Sequence, residues 1–106
     1  MKKKAIWLSY DFGLNGPYDD LYYWLDLRDA KECGDSIAFF EYSNTGNLLE
    51  RLKKDISKNI KLRPKDRIYI IYRQDGLVKG AFLFGRRKAA PWKGIAERQE
   101  DAADDA

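Results

Sequence analysis

The chain has 106 residues, 44% of them hydrophobic and 14% aromatic, which is enough apolar material for one packed core but too little length for two. It contains no histidine and a single cysteine, which excludes an intramolecular disulfide, a Cys-x-x-Cys motif and catalysis by a Ser/His or Cys/His pair. The net charge of +3 is unevenly spread, because residues 97–106 hold five acids and one base, a net of −4, so that residues 1–96 carry +7.

These limits indicate the class of protein. A basic folded part favours an anionic partner, nucleic acid first. No apolar run is long enough for a membrane-spanning helix or a signal peptide, so we expect a cytoplasmic protein with no membrane contact. We expect one domain over residues 1–95, followed by an acidic, disordered tail over residues 96–106.

The chain from Ala5 to Tyr10 is rich in β-branched and aromatic residues and predicts the first strand. Asn15-Gly16-Pro17 then forms a helix N-cap signal with a proline in the first turn. The helix that it predicts runs from about Pro17 to Leu27. Its apolar face contains residues at i, i+3, i+4 and i+7 with a tryptophan beside them: Tyr18, Leu21, Tyr22, Leu25 and Trp24.

The stretch from Ala30 to Tyr42 allows two interpretations. Gly34-Asp35 can be the turn of a hairpin between a short strand at 30–33 and a longer one at 36–42, or the stretch can be one bent strand. Residues 37–40 read Ile-Ala-Phe-Phe, which is too uniformly apolar for a half-exposed strand and places them centrally in the sheet. The cysteine, Cys33, is expected to be a small buried thiol.

A second helix is predicted from Asn47 to about Ile60, because Asn47 and Glu50 have the spacing of a capping box. Residues at helical spacing form its apolar stripe: Leu49, Leu52, Ile56 and Ile60. Two pairs at four-residue spacing predict a solvated, charged face: Glu50–Lys54 and Arg51–Asp55.

The next strand is predicted at residues 67–73, and a return strand runs from residue 77 to about residue 85. Asp75-Gly76 between them is a hairpin signal, because both residue types tolerate the positive φ that a type I′ turn needs. This turn sets the register, with Ile70 opposite Ala81 and Ile71 opposite Gly80.

The order of these elements predicts an α+β fold, a ferredoxin-like βαββαβ sheet with an extra C-terminal hairpin strand and two helices on one face. The other sheet face is then bare, although the strands carry apolar residues on both faces, such as Trp7 between Ile6 and Leu8. An exposed apolar face marks an interface, and a symmetric homodimer is its simplest cover. The alternative is that the segment with Trp92 folds back over it.

Four segments occur in a characteristic order over residues 5–85: a first strand that ends in Tyr10-Asp11, the stretch Ser36-Ile37-Ala38-Phe39-Phe40-Glu41, a helix with Leu52-Lys53-Lys54-Asp55-Ile56, and a later strand that begins Asp66-Arg67-Ile68-Tyr69-Ile70. In order and spacing they resemble the CRISPR-associated protein two family and its relative, virulence-associated protein D. The resemblance implies homodimers packed sheet to sheet, with Asp11 of each subunit near the two-fold axis and able to hold magnesium. Members of that family are described as metal-dependent nucleases and as structural DNA-binding subunits, so the resemblance leaves catalysis open.

Asp11 is the candidate for both the catalytic and the metal-binding residue. One carboxylate per subunit is too few for a magnesium site, but two across a dimer axis, with water and phosphate oxygens, would suffice for this ion. The plainer interpretation of Asp11 is a strand-end cap or a salt bridge to a lysine.

A basic segment at 86–93 reads Arg-Arg-Lys-Ala-Ala-Pro-Trp-Lys. It combines charge that neutralises phosphates with a surface that stacks on bases, as sequence-tolerant nucleic-acid binding requires. The N-terminal lysines can extend the same patch. The candidate nucleic-acid-binding residues are Lys3, Lys4, Arg86, Arg87, Lys88, Trp92 and Lys93.

The sequence thus predicts a dimeric protein that binds DNA or RNA. If it is an enzyme, the expected activity is that of a magnesium-dependent phosphodiesterase that acts through Asp11. The alternative belongs to a different class: a non-catalytic adaptor that docks a protein partner, such as a component of a defence or toxin–antitoxin system. Binding that falls steeply with salt favours the first function, whereas a monomer that binds no nucleic acid favours the adaptor.

Overall fold

The computed structural model describes residues 2–98, with side chains from residue 3 onward. Its elements follow in the order β1 (Lys2–Asp11), α1 (Tyr18–Asp26), β2 (Lys31–Glu32), β3 (Ile37–Asn44), α2 (Leu48–Asn59), β4 (Arg67–Gln74) and β5 (Leu77–Phe84). A helical turn covers residues 95–98. The α+β class is confirmed, and most of the predicted tail lies outside the described residues. No helix within residues 2–98 is long and apolar enough to cross a membrane.

The strands form one antiparallel sheet in the order β2-β3-β1-β4-β5. The first strand lies at its centre, where Trp7 pairs with Phe39 of β3 on one side and with Ile71 of β4 on the other. The central position leaves β1 hydrogen-bonded to a neighbouring strand along both of its edges.

The hairpin interpretation of the ambiguous stretch is confirmed, because β2 pairs antiparallel with β3. The backbone N–H of Cys33 donates to the carbonyl of Ile37 at 2.8 Å and closes the loop. Cys33 itself is exposed, so the predicted buried thiol is wrong. The physical reason is its place in a loop at the edge of the sheet.

The hairpin of β4 and β5 has the predicted register, with Ile70 opposite Ala81 and Ile71 opposite Gly80. Asp75-Gly76 adopts φ values of 53° and 77°, the left-handed conformation that a type I′ turn requires. Short-range turn chemistry therefore fixed this pairing.

One face of the sheet is covered by both helices. Alternate residues of β1, β3 and β4 are buried on this face, the pattern of a sheet with one covered side. Trp24 of α1 packs edge-on against Phe40 of β3, with ring centroids 5.3 Å apart. The main residues of the shared core are Ile6, Leu8, Leu21, Trp24, Phe40, Leu52, Ile56, Ile68 and Ile70. We call the opposite side of the sheet the open face.

The two helix N-termini differ from each other. The side chain of Asn47 accepts from the backbone N–H of Glu50 at 3.0 Å, as the capping signal predicted for α2. The N-cap position of α1 is occupied by Pro17, which makes no side-chain capping bond. The predicted capping role of Asn15 is therefore wrong, because Asn15 lies two residues further back with a φ of 59°.

Asp55 of α2 joins both helices to the sheet. Its carboxylate accepts from the Tyr42 hydroxyl at 2.8 Å, from Nη2 of Arg28 at 3.0 Å and from Nε1 of Trp24 at 3.4 Å. Burial, together with the hydrogen bond to Asp55, raises the pKa of Tyr42 to about 12. The predicted solvated pair of Arg51 with Asp55 is wrong, because α2 turns this carboxylate toward α1.

Asp66, just before β4, is buried and paired. Its carboxylate accepts from the backbone N–H of Arg63 at 2.7 Å and from Nη2 of Arg63 at 2.9 Å. The same guanidinium donates to the carbonyls of Phe12 and Leu14. The pair therefore ties the loop before β4 to the loop that follows β1.

Candidate functional site

The open face carries two neighbouring rows of large apolar side chains. One row contains Phe39, Trp7 and Ile71 on three adjacent strands, and the next contains Ile37, Tyr69 and Phe82, with Ser9 of β1 between Ile37 and Tyr69. The exposed fraction is 38% for Ile37, 41% for Ile71 and 49% for Phe82. An exposed apolar surface of this kind indicates a binding site.

The aromatic rings of the open face form two pairs. The ring centroids of Trp7 and Phe39 lie 5.0 Å apart, and those of Tyr69 and Phe82 lie 4.8 Å apart. The ring of Tyr69 lies against the backbone of Gly80, where an added Cβ would collide with the tyrosine ring and hydroxyl. Glycine at this position therefore lets the ring extend over β5.

A groove of about 640 Å³ lies at one end of the open face, where β1 ends and β4 begins. The segment that follows β5 forms its second wall, after Gly85 turns the chain with a φ of 63°. The residues that line this groove are Ser9, Asp11, Arg67, Tyr69, Phe82, Arg87, Ala89, Ala90, Pro91 and Trp92.

Asp11 and Arg67 form an ion pair at the floor of the groove. They are opposite residues in the register of β1 and β4. The carboxylate side chain is 59% exposed, and the arginine side chain is 21% exposed. The salt bridge expected in the plainer interpretation of Asp11 thus forms, although its partner is an arginine and not a lysine.

Magnesium does not fit the donors that one chain supplies around Asp11. The carboxylate is engaged by Arg67, and residues 2–98 contain no group of three or more His, Cys, Asp or Glu side chains that could hold a metal ion. Magnesium prefers several oxygen ligands in near-octahedral geometry. A magnesium site would therefore need Asp11 of a second copy, and that arrangement stays a prediction.

The structure brings three of the sequence-predicted residues together in the groove: Asp11, Arg87 and Trp92. Trp92 is 75% exposed, as an aromatic that stacks on a ligand requires. The segment around it covers only one end of the open face. Three further candidates in the same segment are exposed but do not line the groove: Arg86, Lys88 and Lys93.

Lys3 and Lys4 lie elsewhere. They pair with Ser43 and Tyr42 at the start of β1, roughly 25 Å along the strand from Asp11. The predicted continuous patch from the N-terminal lysines to residues 86–93 is therefore not formed. Lys3 still lies on the open face, because it shares the alternation of Trp7.

Sequence reasoning missed Arg67, Tyr69 and Phe82 as site residues. A signal for the aromatic pair was present, because the predicted hairpin register already placed Tyr69 opposite Phe82. Arg67 could not be found in the same way. Its contact with Asp11 depends on the pairing of β1 with β4, which are more than fifty residues apart in the chain.

The charge of the open face is predominantly positive. Strand alternation, register and the groove lining place four cations on this side: Lys3, Arg67, Arg73 and Arg87. The same criteria place two acids there, Asp11 and Glu41. This excess favours an anionic ligand.

A second groove, of about 690 Å³, lies between α1 and the hairpin of β2 and β3. Its walls contain tyrosines, three carboxylates and one lysine: Tyr10, Tyr22, Tyr23, Asp26, Glu32, Asp35 and Lys31. The acidic rim would repel phosphate. The open face is therefore the better candidate site for an anion.

No model of a known protein family, no curated protein and no solved structure matches this chain. Its function is therefore inferred from the residues of the open face and the groove.

Proposed function

We propose that this protein binds nucleic acid on its open face, with phosphates held in the groove by Arg67 and Arg87. The observation that carries the proposal is the joint presence, on one bare sheet face, of two partly exposed aromatic pairs and a cationic excess. Aromatic rings that stack on bases and cations that neutralise phosphates are the two components of such binding. Magnesium-dependent hydrolysis through Asp11 stays a prediction.

The arginines suit phosphate for a geometric reason. A guanidinium presents a planar fork of donors that matches two phosphate oxygens at once. Arg67 is held at the floor of the groove, and Arg87 lines the same groove on the segment that follows β5. A phosphate between them would meet both cations, and Trp92 would lie beside it.

The fold that we propose for this function is a ferredoxin-like βαββαβ unit extended by β5. Its support is the strand order β2-β3-β1-β4, antiparallel throughout, with α1 between β1 and β2 and with α2 between β3 and β4. In such a unit both helices cover one side, which leaves the other side free for a ligand.

Arg67→Gln and Arg87→Gln should each weaken binding to labelled DNA and RNA oligonucleotides. We expect each substitution to lower the slope of log affinity against log salt by about 1, because each removes one phosphate contact. Fluorescence anisotropy over a salt titration measures both quantities. Lys54→Gln with Lys58→Gln is the matched control, since both lysines are exposed on α2, on the covered side. The control should keep the wild-type slope.

Failure of the wild-type chain to bind either nucleic acid at low salt would contradict the proposed function. A monomer with that behaviour would leave the adaptor as the better hypothesis. If the control lost as much of the salt slope as the arginine variants, nucleic acid would be attracted by the overall charge of the protein and not bound at a defined site.

Asp11→Asn should raise nucleic-acid affinity. The carboxylate competes with phosphate for Arg67, and an exposed ion pair of this kind contributes about 0.2–1 kcal/mol, so its loss should tighten binding up to about fivefold. Binding titrations in magnesium and in EDTA test the alternative, in which Asp11 binds magnesium and supports nucleic-acid binding. If Asp11 held magnesium, the same substitution would weaken binding in magnesium and have no effect in EDTA.

A further inference from the structure

We infer that the ligand of the open face is a single strand of nucleic acid, with bases stacked on the Trp7–Phe39 pair and the Tyr69–Phe82 pair. This inference rests on the proposed function and names its substrate class. A duplex hides the faces of its bases within the stack and presents only their edges in the grooves. The partly exposed rings of the open face therefore gain a stacking partner only from unpaired bases.

The shape of the open face also disfavours a duplex. The major groove of DNA is about 12 Å wide and admits a helix or a two-stranded ribbon. The five strands of this sheet span roughly 19 Å at the usual distance between strands. One aromatic pair spans β3 and β1, and the other spans β4 and the edge strand β5, so both lie flat on a sheet that is wider than the groove.

The distance between the two aromatic pairs indicates how the strand lies. The pairs are two strands apart and offset by one row, which corresponds to roughly 12 Å across the sheet. Neighbouring bases in a regular stack are about 3.4 Å apart. The bases on the two pairs are therefore separated along an extended strand, and the nucleotides between them cross β1 and β4.

Charge distinguishes this ligand from a second copy of the chain. Two open faces placed together would bring the same excess of cations against itself, which opposes association. A polyanion instead neutralises Arg67, Arg73 and Arg87 as it crosses the sheet.

The experiment uses the full chain and three labelled probes: an oligothymidine and an oligouridine of about 12 nucleotides, within the usual range for one small domain, and a DNA duplex of equal length. We expect the single strands to bind at least about tenfold more tightly than the duplex. Phe39→Leu and Phe82→Leu should each reduce single-strand affinity about tenfold and leave duplex affinity unchanged. Phe39→Tyr should keep the wild-type affinity for single strands, because this substitution keeps the aromatic ring.

Tyr23→Leu is the matched control, because Tyr23 is an exposed aromatic on α1, on the covered side, and its loss should change nothing. Phe82, which is half-exposed, keeps the test valid if Phe39→Leu fails to fold, and circular dichroism identifies that case.

Equal binding of duplex and single strands, or leucine variants with wild-type affinity, would overturn the inference while the proposed function stands. A dimer in size-exclusion chromatography that Phe82→Arg dissociates would also overturn it, since the open face would then be occupied. Absence of any binding would remove the proposed function as well.

Discussion

Asp66→Asn should lower the free energy of unfolding by about 3 kcal/mol, one of the largest losses expected for a single polar substitution in this chain. The Asp66 carboxylate is 1% exposed, and it accepts hydrogen bonds from both the backbone and the side chain of Arg63. An asparagine keeps the size of the side chain but removes the buried charge that pairs with the partly exposed guanidinium of Arg63. Urea denaturation at neutral pH measures the loss.

The effect should depend on pH in a defined direction. Burial alone would raise the pKa of Asp66, but the hydrogen bonds from Arg63 outweigh burial and hold the pKa below its ordinary value. The folded state then binds this proton less readily than the unfolded state, whose aspartate has a pKa of about 3.9. The stability that the carboxylate contributes is therefore complete above about pH 4 and is lost as the pH falls through the lowered folded pKa.

The difference in stability between wild type and Asp66→Asn should accordingly narrow in strong acid. Asp35→Asn serves as the control, because that carboxylate is exposed in the loop between β2 and β3. A difference that stays constant from neutral pH to strong acid would show that Asp66 contributes by packing and not by its charge.

Gly85→Ala should cost about 3 kcal/mol of folding free energy. Part of the loss is the left-handed backbone, with a φ of 63°, which disfavours any residue with a Cβ by about 1–2 kcal/mol. The rest is a collision, because the added Cβ would lie 2.6 Å from the backbone carbonyl oxygen of Asp66 and 2.8 Å from Cγ of Arg67. Since this residue turns the chain into the wall of the groove, nucleic-acid affinity should fall as well.

Gly76→Ala separates the two contributions. Gly76 has a φ of 77°, but an added Cβ there would meet nothing within 4 Å. The loss of folding free energy in Gly76→Ala should therefore be limited to the backbone cost of about 1–2 kcal/mol. Urea midpoints and anisotropy on both variants provide the comparison. Equal destabilisation by the two substitutions would disprove the collision at residue 85.

Features set by neighbouring residues were predictable from the sequence. The register of β4 and β5 follows from the turn at Asp75-Gly76, and the start of α2 follows from Asn47, because both depend on contacts a few residues apart. The bare aromatic face was also predictable, since strand alternation separates Tyr69 from Ile70 without knowledge of the partner strand.

Features set by distant parts of the chain were not predictable. The partner of Asp11 is Arg67, and the partners of Asp55 come from α1, the turn after α1 and β3, so both depend on how the elements pack. Cys33 was expected to be buried from its residue type alone, although its position in an edge loop exposes it. In each case tertiary arrangement overrode a local tendency.

The carboxylate of Asp55 has a consequence for the opposite side of the molecule. It joins α1 and α2, which form the layer behind the sheet, to β3 of the sheet through Trp24, Arg28 and Tyr42. The aromatic rings of the open face therefore lie on a sheet that is hydrogen-bonded to its helix layer. A ligand that binds there would need to order little of the chain, so that little conformational entropy would be lost on binding.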